Sequence, residues 1–262
     1  MQNRYGKLAS WVYSLDKPIG RSFGDQEYYR QRLQHCDDGP ILEPAVGNGR
    51  IFVPLLEAGF PIEGFDASVE MLGYCHDECR NRNLSASLTR QTFEEFSYDK
   101  RFAAIIVPAG SFQLITDVAS AGAVLKRFYD HLSPNGRVII DLDAIGEFLR
   151  PSGSVRSWVT EDGDLLTLTD HRVETNYITQ TTLSHLRYEH WQGGSLMATE
   201  LDLFKLRWWG VYEFLLALQA AGFTDVVVSG NYQHGKEPQK DDEIISFEAR
   251  RPANGEAAKI GY

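Results

Sequence analysis

The stretch Ile41-Leu42-Glu43-Pro44-Ala45-Val46-Gly47-Asn48-Gly49-Arg50 decides how this chain is read. Two apolar residues lead a strand into a loop whose positions 45, 47 and 49 are all small. Small residues there let the backbone turn sharply from strand to helix and approach a ligand closely, with the helix N-terminus facing it. Glycine turns after strands are common, so a lone Gly-x-Gly is weak. Here Glu43, two residues ahead of Ala45, and the strand and helix on either side lift the signal above that background.

Outward from the loop, short apolar strands alternate with longer amphipathic stretches, the signature of βαβ units and a parallel sheet. Residues 50–58 read as a helix closed by Gly59, 62–66 as a strand, 68–82 as a helix with Ser68 as N-cap, and 86–90 as a third strand. Residues 103–108 and 137–142 are continuous apolar runs of the kind expected of strands buried on both faces. Between them residues 118–132 have helical period, followed by the turn Ser133-Pro134-Asn135-Gly136. The alternation then stops. Residues 155–209 carry β-branched and aromatic residues in short stretches broken by Asp162-Gly163 and Gly193-Gly194, which predicts antiparallel hairpins inserted as a lobe. Helical spacing returns over 212–221, stopped by Gly222, and 224–229 and 244–250 supply two last strands.

Composition bounds the function. A chain of 262 residues, 43% hydrophobic, suits one large domain or a domain with an elaboration. No stretch approaches the roughly 20 apolar residues of a membrane span. Residues 1–17 lack the apolar core of a secretory signal, so the expectation is a cytoplasmic protein without membrane contact. Cys36, Cys75 and Cys79 form no CxxC pair, and no metal site is expected; Cys75 and Cys79 share a helix face and read as packing residues. A net charge of −10, with 36 acidic against 26 basic residues, argues against nucleic acid, because residues 80–82 and Lys100-Arg101 are too sparse a basic cluster. The expected partner is a small-molecule acceptor, and the expected state a monomer or homodimer.

Asp66 ends the second strand, where sheets of this kind aim a carboxylate at ribose hydroxyls; the alternative is a carboxylate stabilising the helix that follows. Its segment, Gly64-Phe65-Asp66-Ala67-Ser68, falls in register with the glycine loop. With these residues in place, Glu-Pro-Ala-x-Gly-x-Gly-Arg and the segments up to residue 143, with the final helix and strands, resemble class I S-adenosylmethionine-dependent methyltransferases of the small-molecule type. The resemblance implies an α/β fold, a doubly wound Rossmann-like seven-stranded sheet with an inserted antiparallel β lobe. The expected segments are a helical cap over 1–40, the cofactor-binding core over 41–153, the lobe over 154–209, the rest of the core over 210–251 and a tail over 252–262.

The same resemblance implies S-adenosyl-L-methionine as cofactor. Glu43 would orient its amino group through the Ala45 loop or water, with Gly47 and Gly49 beneath the methionine portion. Asp66 would hold the ribose, Ala67 and Met71 would flank the adenine, and Thr92 and Phe93 would line its edge. Many family members carry an acidic residue where Thr92 stands, so the adenine amino contact would come from a hydroxyl or the backbone. Phe96 reads as core. Pro108 opens a loop of small residues, Ala109-Gly110-Ser111, that leaves room for the reacting methyl.

The acceptor side is less specific. Candidate substrate-binding residues are Tyr13, Arg21 and Tyr29 from the N-terminal stretch, Gln113 after the fourth strand, and Tyr188, Arg207 and Trp208 from the lobe. The resemblance implies an N-terminal segment folded over the cofactor and a lobe roofing the substrate. Gln113 serves equally well as a loop-stabilising side chain. Of Trp208 and Trp209 at least one should pack the lobe against the sheet, since successive strand residues face opposite sides. His171, His185, His190 and Glu189 are the candidate bases, no one of them preferred, so no catalytic residue is assigned.

The nearest rival is a nicotinamide-dependent oxidoreductase, whose fingerprint needs a small residue at the third glycine position, where this chain has Phe52. No Gly-Lys-Ser/Thr follows the glycines, which removes a P-loop phosphotransferase. A cofactor-binding module without turnover stays open, because methyl transfer requires no particular side chain. The acceptor atom also stays open, nitrogen or oxygen ahead of carbon or sulfur.

Overall fold

The computed structural model describes residues 5–151 and 153–253. The tail expected over 252–262 lies outside the described residues from 254 onward. Strands β1 (Ile41–Pro44), β2 (Ile62–Asp66), β3 (Ser87–Arg90), β4 (Phe102–Val107) and β5 (Leu132–Asp143) pair in parallel in the order β3-β2-β1-β4-β5. Every residue of β1 and β4 is buried, Glu43 of β1 among them, as strands covered on both faces require.

Alternation along β4 divides the core. Ile105 and Val107 face helices α5 (Val118–His131) and α7 (Val211–Ala220), while Ala104 and Ile106 face α3 (Phe52–Glu57) and α4 (Val69–Asn81). The two apolar layers enclose the sheet from both sides, which is the doubly wound arrangement. Ser68 caps α4 as expected, its hydroxyl accepting from Met71 N at 3.1 Å. Cys75 and Cys79 lie one turn apart on the buried face of that helix as free thiols. Beyond β5 the sheet adds β11 (Ile244–Arg250), antiparallel to β5, and β10 (Thr224–Gly230), antiparallel to β11. The total is seven strands.

The expected Ser133–Gly136 turn is absorbed into an irregular start of β5, with a register shift against β4 between Phe102 and Ala104. Arg251 causes this. Asn135 N donates to Arg251 O at 2.9 Å and Arg251 N to Gly136 O at 2.8 Å, so the turn is held as strand edge by a segment remote in sequence.

After the short α6 (Ile145–Leu149) come β6 (Ser154–Val159), β7 (Leu165–Asn176), β8 (Thr181–Gln192) and β9 (Ser195–Arg207), a separate four-stranded antiparallel sheet in chain order. Gly193 and Gly194 connect β8 to β9 with φ of 56° and 82°, the two left-handed residues that a tight hairpin turn requires. Helix α1 (Lys7–Asp16) lays Leu8, Ala9 and Val12 against Leu166, Leu168, Leu186 and Tyr188 of this sheet.

Helix α2 (Asp25–Leu33, sequence DQEYYRQRL) buries Tyr28, Tyr29 and Leu33 against α3 and the sheet, and buried charges pin it as well. Arg32 makes two bonds to Glu248 of β11, at 2.7 and 3.0 Å, and Asp25 takes Arg50 Nη2 at 2.5 Å, all four side chains being largely buried. Among the described residues no helix is long and apolar enough to cross a membrane.

A buried ion pair costs most when one partner is removed, because the other charge is stranded. Asp25→Ala should lower unfolding free energy by about 3–5 kcal/mol in urea titrations, whereas Asp77→Ala, whose pair with Arg80 is exposed, should change it by less than about 1 kcal/mol.

Candidate functional site

The chain winds outward from β1 through β2 to β3 and then crosses back to β4, so β1 and β4 are neighbours whose following loops depart in opposite directions. Open α/β sheets place ligands in the crevice this reversal creates. A cleft of about 280 Å³ lies there, lined by Ala45 and Gly47 after β1, Asp66 at the end of β2, Thr92 and Phe93 after β3, and Ser111 after β4.

The floor is a strained turn. Ala45, Gly47 and Gly49 have φ of 53°, 58° and 90°. The two glycines do different work. A Cβ at Gly47 would meet no protein atom within 4 Å, so its bare face looks into the cleft; a Cβ at Gly49 would sit 2.6 Å from Cys75 Sγ and 3.0 Å from Val53 Cγ2. Gly49 is therefore a packing glycine under the turn.

Asp66 locks this turn to the next one. Its Oδ2 accepts from Gly47 N at 2.9 Å and its Oδ1 from Ser68 N at 2.8 Å. Burial pushes the carboxyl upward from its ordinary range, and the backbone donors of Ser68, Gly47 and Ala67 oppose that and favour the anion. Ala67 and Met71 lie on the adjoining wall. Glu43 sits beneath the loop, outside the cleft lining. It is buried, which raises its pKa well above the usual carboxylate range against the pull of Arg50, and its Oε2 has no hydrogen-bond partner. An unpaired buried carboxylate oxygen is costly and awaits a donor.

Among the expected cofactor residues, Ala45, Gly47, Asp66, Ala67, Met71, Thr92 and Phe93 are brought together on one cleft, with Glu43, Gly49 and Pro108 behind it. The acceptor candidates are largely dispersed. Tyr13 reaches the cleft. Arg21 donates to Asp16 O and stacks on Phe23 at the surface. Tyr29 is fully buried with α3 and β5 residues. Gln113 is clamped to β5, accepting from Asp143 N at 2.8 Å and donating to Asp143 O at 3.2 Å, so it is the loop-stabilising side chain. Tyr188 packs under α1. Arg207 is buried over the Trp209 ring at 3.7 Å and bonded to Glu213 at 2.6 Å. Trp208 packs on Phe148 and Tyr177, and Trp209 joins the main core, so both tryptophans pack. Phe96 stacks on Phe65 at 5.1 Å within the core.

Tyr5 and Lys205 line the cleft as well. Tyr5 is held where Ser68 Oγ donates to its carbonyl at 2.8 Å, and Asn48 Nδ2 donates to Lys17 O at 3.0 Å, so the N-terminal segment is stapled across the glycine loop. No local pattern singles out Lys205, a strand residue of the lobe. None of His171, His185 and His190 lines the cleft; His190 is bonded to Asp164 at 2.8 Å.

Behind the β4 loop, Asp141 accepts from Ser246 Oγ at 2.7 Å, Tyr232 Oη at 3.2 Å and Ala109 N at 3.4 Å. Complete burial pushes it up to about 7, with the hydrogen bonds from Ser246 and Ala109 acting to lower it.

The fold is thus that of an open α/β protein with a cleft at its switch point. Residues 41–136 match a family model described as a methyltransferase domain. The chain is 25% identical to a glycine/sarcosine N-methyltransferase of Parasynechococcus marenigrum over 88% of this chain and 77% of that one. It is 27% identical to a dTDP-3-amino-3,6-dideoxy-alpha-D-glucopyranose N,N-dimethyltransferase of Streptomyces fradiae over 53% and 56%. The CcbJ methyltransferase of Streptomyces caelestis superposes with a TM-score of 0.74 at 18% identity, covering 96% and 99% of the two chains. The chain therefore carries a methyltransferase domain over residues 41–136, and S-adenosylmethionine is its methyl donor. The residues present fit that cofactor: an open glycine face, a carboxylate at the end of β2, and a buried carboxylate oxygen without a donor.

The two glycines separate by experiment. Gly47→Val should abolish cofactor binding in calorimetry with stability lowered by about 1–2 kcal/mol from the left-handed backbone, and Asp66→Ala should weaken binding about 10- to 100-fold. Gly49→Ala should instead cost about 2 kcal/mol of stability through overpacking. Asp141 generates a pH dependence. Its folded pKa lies above the unfolded one, so the folded state binds the extra proton, and stability falls as pH rises from about 4 to 7 by up to about 1.4 kcal/mol per unit. Urea midpoints across that range should show the slope, and Asp141→Asn should flatten it.

Proposed function

We propose that the protein methylates the amine nitrogen of a small molecule. The observation that carries this reading is the roof of the site. Tyr5 and Tyr13 of the N-terminal segment and Lys205 of β9 line the cleft together, which suits a compact acceptor. Both relatives quoted above are named for methylation of amines, which supports nitrogen as the acceptor atom. The absence of a histidine among the described cleft-lining residues favours it too, since a hydroxyl needs a stronger base than an amine does.

S-adenosylmethionine supplies, when bound, a methyl carbon made electrophilic by its sulfonium. The chain's own residues then have a modest task. Asp66 and the Gly47 backbone hold the nucleoside side in register, Glu43 offers its unpaired oxygen toward the amino acid portion, and Tyr5 and Tyr13 present aromatic surface that suits a cation. The stapled N-terminal segment excludes water and fixes the approach of the acceptor, where most of the rate gain from alignment arises. Three free thiols suit a reducing compartment, and we place the enzyme in the cytoplasm.

Tritium-labelled cofactor incubated with glycine, sarcosine, glucosamine and glucose tests the reading. Label should enter an amine and spare glucose. Transfer to glucose alone, or no transfer by a protein that binds the cofactor stoichiometrically, would overturn it.

A further inference from the structure

Asp143 ends β5 at the carboxyl edge of the sheet, beside the Ala109-Gly110 turn that follows β4. A Cβ on Gly110 would lie 3.0 Å from its Oδ2, so only the glycine hydrogen stands between this carboxylate and the loop. Gln113 pins the Asp143 backbone through both its N–H and its C=O, which fixes where the side chain starts. The carboxylate itself accepts no hydrogen bond and makes no ion pair with any described residue. The contrast with its neighbours is sharp: Asp66 accepts two hydrogen bonds and Asp141 three.

The charged groups that act on Asp143 are Lys17 at the end of α1 and Glu147 of α6. Burial, the largest effect, raises its pKa, with Lys17 lowering it and Glu147 raising it. Lys17 leads to the cofactor cleft. Its ammonium lies 5.2 Å from the centroid of the Tyr13 ring, and Tyr13 lines the cleft, as does Ser111 next to Gly110. Asp143 thus stands just outside the cleft lining, behind the turn that leads to the cleft residue Ser111, with carboxylate oxygens that no described residue bonds.

We infer that Asp143 receives the ammonium group of the acceptor and removes one proton from it. This rests on the amine reading above and names the residue that reading lacks. The acceptor is thereby a cationic amine. One proton passes from nitrogen to the Asp143 carboxylate, and the N–H electron pair stays on nitrogen as a lone pair. That pair forms the new nitrogen–carbon bond, the old carbon–sulfur pair stays on sulfur as a neutral thioether, and the positive charge moves to the methylated nitrogen. A carboxylate whose pKa is raised by burial is better matched to an ammonium than an exposed one.

The test uses the full chain with glucosamine and sarcosine as probes, measuring kcat and KM from pH 6 to 9 for wild type, Asp143→Asn and Asp143→Glu, with cofactor affinity by calorimetry. Asp143→Asn should lower kcat/KM about 100-fold or more. It should also abolish the rise of kcat/KM with pH on the acid limb, because the anion is the active form, and leave cofactor affinity within about twofold. Asp143→Glu should recover part of the rate and restore the acid limb, which a purely structural role would not do. If wild type methylates an amine and Asp143→Asn keeps its rate and pH profile, the assignment of Asp143 falls and the amine reading stands. If Asp143→Asn does not fold, Asp143→Glu alone decides, and a Glu variant with no acid limb overturns the assignment. If wild type binds cofactor and methylates neither probe, the amine reading falls and the role of Asp143 falls with it.

Discussion

The turn between β1 and α3 places left-handed backbone at Ala45, Gly47 and Gly49, and the site is built around keeping it there. An L-residue in that region costs roughly 1–2 kcal/mol, so Ala45 at φ 53° is held against its preference. The holding bond is the one from Gly47 N to Asp66 Oδ2, reinforced by Val46 N donating to Phe65 O at 3.0 Å. Because Asp66 also accepts from Ser68 N, one carboxylate sets the exits of β1 and β2 and the entry to α4 together. That service to the backbone also fixes where its carboxylate stands in the cleft lining.

The roof depends on the same turn. Asn48, inside the loop, donates to Lys17 O, and Ser68 donates to Tyr5 O, so both ends of α1 are tied to the elements that form the floor. From the other side Leu8 N donates to Glu200 of β9 at 2.9 Å and Arg156 of β6 pairs with Asp16 at 2.8 Å. Helix α1 thereby couples the antiparallel sheet to the parallel one across the cleft. Any opening of the site must break bonds on one of these sides.

Much of the core could be read from the chain because its signals are local. The apolar runs of β4 and β5, the Ser68 cap, the glycine stop after α3 and the paired glycines between β8 and β9 each depend on a few adjacent residues. The Ser133–Gly136 turn keeps left-handed backbone at Asn135 but is drawn into β5 because Arg251, over a hundred residues away, decides its hydrogen bonding. Helix α2 gives a weak periodic signal, since its mean composition is polar and the charges that help to pin it come from Arg50 and Glu248, 25 and 216 positions distant.

By itself the sequence determined the strand order's raw material, the glycine turn, the acidic end of β2 and hence the cofactor, because these rest on backbone geometry and neighbouring residues. Only the tertiary structure decided which polar and aromatic side chains reach the cleft. Arg207, Gln113, Tyr29 and Trp208 look alike in sequence to Tyr13 and Lys205, yet the first four are consumed by packing and internal hydrogen bonds away from the cleft that the last two line. The difference lies in what surrounds each side chain after folding: a buried polar group must be satisfied by its neighbours, and those neighbours come from remote parts of the chain.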